Sequence, residues 1–117
     1  MAQLYWKVRA YLEANSKTAS EFDNNIKLVN DGAGDYIHTW NVSDLAKPTD
    51  AQLTSADTQA TKDENNHVIR RTRKAAYGDI GDQLDLLYKD MLAGKGDSTG
   101  EWFKSIKAVK DANPKEE

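Results

Sequence analysis

Apolar residues at Leu4, Val8, Tyr11 and Leu12 recur at i, i+4, i+7 and i+8, the stripe of an amphipathic helix. Tyr5 and Trp6 flank that stripe, and short polar side chains at Asn15 and Ser16 mark its end. After a polar link anchored by Phe22, two β-prone runs follow, Ile26–Asn30 and Tyr36–Asn41. They flank the loop Asp31–Asp35, whose Asp-Gly step and second glycine suit a tight chain reversal. Pairing Asn30 with Tyr36 sets Leu28 opposite His38 and Ile26 opposite Trp40 on one face, with Val29 opposite Ile37 and Lys27 opposite Thr39 on the other. The face with Ile26, Leu28 and Trp40 is expected to meet the N-terminal helix. A two-stranded hairpin is marginal alone, so it needs that cover or a neighbouring chain.

The remainder reads as helix. Thr49 and Gln52 stand at capping-box spacing after Pro48, and no breaker interrupts the chain from Asp50 to about Ala76. That segment is poor in apolar residues between Thr61 and His67, so it is expected either to break near Glu64–Asn66 or to be supported by other chains. Tyr77-Gly78-Asp79 is a break with Asp79 as an N-cap candidate. Ile80, Leu84, Leu87, Tyr88 and Met91 then form the best-patterned stripe in the chain, closed by Gly94–Asp97. Ser98 and Glu101 suggest a second capping box before a last helix striped by Trp102, Phe103, Ile106 and Val109. The expected fold is α+β and mostly helical: an N-terminal helix on one antiparallel β-hairpin, a long helix, and a C-terminal αα-hairpin. Two regions follow from this, a helix-plus-hairpin module over 1–47 and a helical region over 48–117. Trp40, Tyr36, Leu28, Leu84, Leu87 and Trp102 are the expected structural anchors, and Trp40→Ala is expected to cost about 3–5 kcal/mol.

Composition makes the core lean. Of 117 residues, 38% are hydrophobic and 30% charged, so much helical surface must face water or a partner. Three Trp and five Tyr mean that a few large side chains carry most of the burial. A net charge of -3 offers no general attraction to nucleic acid or an anionic membrane. No apolar run approaches the ~18 residues of a spanning helix, and charges inside the N-terminal pattern argue against a secretory signal. The absence of cysteine removes disulfides, thiolate metal sites and thiol nucleophiles, and fits synthesis in a reducing cytosol.

Candidate chemistry is sparse. His38 and His67 fall on different expected elements without companion ligands, so no metal site is expected. Asp31 and Asp35 lack the alternating oxygen ligands of a calcium loop, and turn chemistry accounts for both. There is no GxSxG motif, and the glycines match neither a P-loop nor a dinucleotide fingerprint. No catalytic residue and no cofactor are therefore expected. The sharpest charge feature is Arg70, Arg71, Arg73 and Lys74, close to Tyr77. These five residues are the partner-binding candidates, for phosphates or for acidic side chains. The plainer account, which the weak evidence of one basic turn in an acidic chain favours, is a solvated helix face with cations near the C-terminus, where the helix dipole favours them. Trp102 and Phe103 share a stripe with Ile106 and are expected in the core rather than as a ligand platform.

Leu28, Asp31, Gly32, Gly34, Tyr36, Ile37, Trp40, Asn41, Pro48, Thr49 and Leu53 resemble the pattern of the XkdW-like small proteins of tailed-phage tail modules. The segment Arg73–Met91, with its IGDQLD core, is similar to a motif of phage tail-fibre-associated proteins, with Gly78 where Pro is usual and Tyr88 where Trp is usual. The downstream run Phe103–Lys115 fits as well. The resemblance implies a non-enzymatic structural protein of the fibre or baseplate region, located in the virion tail and made in the host cytoplasm. Its implied partners are other tail or fibre proteins and copies of itself, with no small-molecule substrate, no membrane and no nucleic acid. Two other readings stay open: a fibre-assembly chaperone, and a small nucleic-acid-binding regulator using Arg70–Lys74.

Overall fold

The computed structural model describes residues 1–117. Its elements run α1 (Leu4–Ala14), a 3₁₀ turn (Ala19–Asp23), β1 (Ile26–Asn30), β2 (Asp35–Trp40), α2 (Asp50–Tyr77), α3 (Ile80–Leu92) and α4 (Glu101–Ala112). One antiparallel pair, β1 with β2, is the sheet. The expected α+β architecture is present, and the chain divides into two compact units, Met1–Glu64 and Asn65–Glu117. That boundary lies inside α2 rather than at residue 47. The reason is that Leu53, Ala56 and Ala60, on the first half of α2, pack into the clusters built by α1 and the hairpin.

In the first unit, Val8 and Leu12 of α1 are fully buried against Ile26, Ile37 and Val42. Burying side chains of this kind stabilises by roughly 1.5–3 kcal/mol each. The hairpin register explains how Ile37 joins them. Ile26 pairs with Trp40 and Lys27 with Thr39, but Leu28 then pairs with Ile37, Val29 with Tyr36 and Asn30 with Asp35. The expected pairings of Asn30 with Tyr36, Leu28 with His38 and Val29 with Ile37 are thus shifted by one residue near the loop. A β-bulge leaves His38 as the extra residue. Ile37 and Trp40 stand three apart and would face opposite sides of a regular strand; the bulge turns both onto the core face. Tyr36 moves outward in exchange and is 41% exposed.

The loop between the strands is held by its own side chains. Asn30 Oδ1 accepts from the Gly32 amide at 2.9 Å, and Asn30 Nδ2 donates to Asp35 Oδ1 at 3.0 Å. Gly32 and Gly34 both have φ of 106°, a conformation that L side chains resist.

The capping box at the start of α2 forms as expected. The Gln52 amide donates to Thr49 Oγ1 at 3.2 Å, and Gln52 Oε1 accepts from the Thr49 amide at 2.9 Å. The helix is continuous over 28 residues, about 42 Å at ~1.5 Å per residue. It does not break near Glu64–Asn66. Its polar residues serve the ends of other elements: Asp57 Oδ1 accepts from the Ala2 amide at 2.8 Å, and Glu64 Oε2 from the Gln3 amide at 3.0 Å. These carboxylates fix the entry to α1, whose own N-cap residue, Gln3, makes no side-chain cap.

In the second unit, Gly78 at φ 80° stops α2. Asp79 then caps α3, accepting from the amides of Gly81 at 2.6 Å and Asp82 at 3.4 Å. The Ser98–Glu101 capping box does not form. Gly100 is the N-cap of α4 and has no side chain to offer, so Asp90 of α3 supplies the acceptor: its Oδ2 takes the Trp102 amide at 2.8 Å. Asp90 is 7% exposed. A buried carboxylate one helix away thus does what a local Ser was expected to do.

Within the α3–α4 loop, Asp97 Oδ1 accepts from the Thr99 amide at 2.9 Å and the Thr99 hydroxyl at 2.6 Å. The Thr99 hydroxyl, and then its amide, hold the Asp97 carboxyl below the usual aspartate range. A depressed carboxylate pKa stabilises above the unfolded value, and that contribution is lost as pH falls through the folded one. Acidification below the ordinary aspartate range is therefore expected to loosen this loop. In an NMR titration, Thr99→Ala should move the Asp97 midpoint upward; an unmoved midpoint contradicts the assignment.

Candidate interaction surfaces

The basic turn divides into two groups. Arg73 Nε donates to the Asn113 carbonyl at 2.8 Å and Nη2 to the Lys110 carbonyl at 3.4 Å. It thereby covers the Asn113 carbonyl, gives a second donor to the Lys110 carbonyl, which already accepts from the Asn113 amide, and places a cation at the negative end of that helix. Arg73 is occupied within the chain and is not a free partner-binding group. Arg70, Arg71 and Lys74 fall together on another face of α2, are exposed, and form no ion pair. Tyr77 is half-buried at the last residue of α2. Arg73→Ala is expected to lower stability by about 1 kcal/mol, whereas Arg71→Ala should stay within ~0.5 kcal/mol of wild type. Urea unfolding of the two variants checks the contrast.

Leu28 and Trp40 lie half-buried against the core of the first unit. Trp40 Nε1 donates to the Leu45 carbonyl at 2.9 Å, and its ring lies 6.1 Å from that of Tyr11. Leu87 and Trp102 are half-buried in the second unit. Tyr36 and Leu84 depart from their expected role as anchors. The bulge turns Tyr36 outward, and Leu84 is 58% exposed because α3 turns its buried Asp90 inward instead.

That rotation of α3 leaves an apolar face open. Ile80, Leu84, Tyr88, Met91 and Leu92 are all exposed, and the charged pair Asp85–Lys89, at 3.1 Å, borders them. On α4, Trp102, Phe103 and Ile106 line an open groove of about 400 Å³ edged by Lys107, Lys110 and Asp111. The expectation that Trp102 and Phe103 sit in the core is corrected: Trp102 is half-buried and Phe103 is 41% exposed. The second unit is too thin to cover them, since Asp90 and Gly100 are its only buried residues.

Neither histidine joins a metal-binding group. His38 Nδ1 is 2.8 Å from Thr39 Oγ1 at the bulge, and no cluster of three His, Asp or Glu side chains is placed to hold an ion. No helix is long and apolar enough to cross a membrane.

Comparison with known proteins gives one family match: residues 11–65 match the family described as XkdW protein. No curated protein and no solved structure matches the chain. The matched residues hold the hairpin with its two positive-φ glycines, Ile37 and Trp40 of the core, and the Thr49–Gln52 capping box. The IGDQLD segment of α3 lies outside them. Over residues 11–65 the chain is XkdW-like, which supports a phage-associated protein.

Proposed function

We propose that this chain is a non-enzymatic structural component of a tailed-phage tail, in the fibre or baseplate region, and that it acts by docking on other tail proteins. The observation that carries the reading is the surface of residues 65–117. Six of the large hydrophobic side chains there are more than half exposed: Val68, Ile80, Leu84, Tyr88, Met91 and Leu92. Monomeric proteins rarely leave apolar patches beyond a few hundred Å² open to water, and larger ones mark contacts with other chains. The match of residues 11–65 to the family described as XkdW protein supports such a role. The two regions divide the work: the hairpin unit folds on its own core, and the helical unit presents surface.

Co-expression with the tail proteins encoded beside it, followed by size-exclusion chromatography with light scattering, tests the reading. A stable mixed complex is the expected result. Elution of the chain free of every fibre and baseplate protein offered would overturn it.

A further inference from the structure

We propose that α3 is a self-association face, on which a second copy of this chain packs in an antiparallel, two-fold arrangement. A second copy would occupy this face whether or not the chain resides in a phage tail. Ile80, Leu84, Tyr88 and Leu92 stand four residues apart and form one continuous i±4n ridge along a helix of 13 residues. All four are 58–71% exposed, and Met91 beside them is 64% exposed. The other exposed faces of the second unit are interrupted by charge; this one is not. Asp85 and Lys89 flank the ridge on the adjacent row and pair with each other at 3.1 Å, so covering the ridge desolvates no unpaired charge.

Two properties of the ridge select a second copy as the occupant. The first is symmetry of spacing. Reversing the ridge about its midpoint sets Ile80 opposite Leu92 and Leu84 opposite Tyr88, so the same patch is its own partner, as an isologous two-fold contact requires. Packing of i±4n ridges against each other is the commonest helix-pair geometry, with axes crossing near −50°. The second is area. The five side chains, all more than half exposed, offer on the order of 600 Å² per chain, against the ~800 Å² per partner of a standard interface. Two copies together bury at most about 1,200 Å², which reaches the lower bound of a standard specific interface.

The test is sedimentation equilibrium of the full chain across the micromolar range. The expected mass rises from 13.1 kDa towards twice that value, with no larger species. Leu84→Glu should weaken dimerisation about 30-fold or more while leaving the far-UV circular dichroism unchanged, since the side chain is already exposed. A second measurement reads direction. The chain has no cysteine, so Leu84→Cys and Tyr88→Cys chains can be mixed and oxidised. The 84–88 cross-link should form faster than 84–84. A constant 13.1 kDa mass, a trimer, or dimerisation unmoved by Leu84→Glu would overturn the proposal. So would preferential 84–84 cross-linking, which belongs to parallel pairing.

Discussion

Trp40→Ala is expected to lower the unfolding free energy of the hairpin unit by about 3 kcal/mol. The value sits at the low end for a Trp truncation because the ring is half-buried rather than enclosed. Three contacts go at once. The ring leaves Tyr11, whose hydroxyl donates to the Ala46 carbonyl at 2.7 Å. The Nε1 donor leaves the Leu45 carbonyl, and Ile26 loses its cross-strand neighbour. Val42 stays packed in the core, but the Leu45 and Ala46 carbonyls are held by these two rings, so amides around 45–47 should lose exchange protection first. Trp40→Phe separates the causes: it keeps most of the packing but not the hydrogen bond, and should cost about 1 kcal/mol. Urea unfolding followed by amide exchange of β1 and β2 measures both. A neutral Trp40→Ala would mean that the side chain serves a partner rather than the core.

Gly100→Ala is expected to cost about 2–3 kcal/mol, although its φ of −77° is open to any residue. The cost is steric. An added Cβ would lie 2.2 Å from the Lys95 carbonyl oxygen and 2.8 Å from Asp90 Oδ2. The first is a backbone atom that cannot swing aside, and the second is the acceptor holding the start of α4. The variant must therefore reopen the loop or surrender the cap. Asp90→Ala removes the acceptor without the clash and should cost about 1–2 kcal/mol. The two changes share one contact, so the double variant should fall short of additivity. Thermal unfolding read through exchange of α3 and α4 amides checks the pair. A neutral Gly100→Ala would show that the loop relaxes freely.

The elements legible in the sequence were those written in local signals. Thr49 and Gln52 stand three residues apart, Asp79 directly precedes its helix, and Gly78 directly follows the previous one; such features carry their partners with them. The exposed side of α3 was legible as a stripe but not as a surface. Periodicity fixes which residues share a face, and not whether that face finds cover. The bulge at His38 was not legible, because alternation is preserved on either side of it. Only burial of both Ile37 and Trp40 reveals the extra residue.

The polar residues of α2 show where sequence patterns stop being informative. Asp57, Glu64 and Arg73 bond to groups far along the chain. Their partners are Ala2, Gln3 and Asn113, between 40 and 61 residues distant, and no local pattern announces such pairs. The basic turn divides for the same reason. Arg73 differs from Arg71 only in facing the end of α4, which sequence spacing alone cannot supply.

Quantitative mass spectrometry of purified phage particles tests the proposed function most directly. A tail component should appear at a fixed copy number per particle, in constant ratio to the other tail proteins through gradient purification. Abundance in the infected-cell lysate with absence from purified particles would contradict it, and would assign the chain to the assembly chaperones instead.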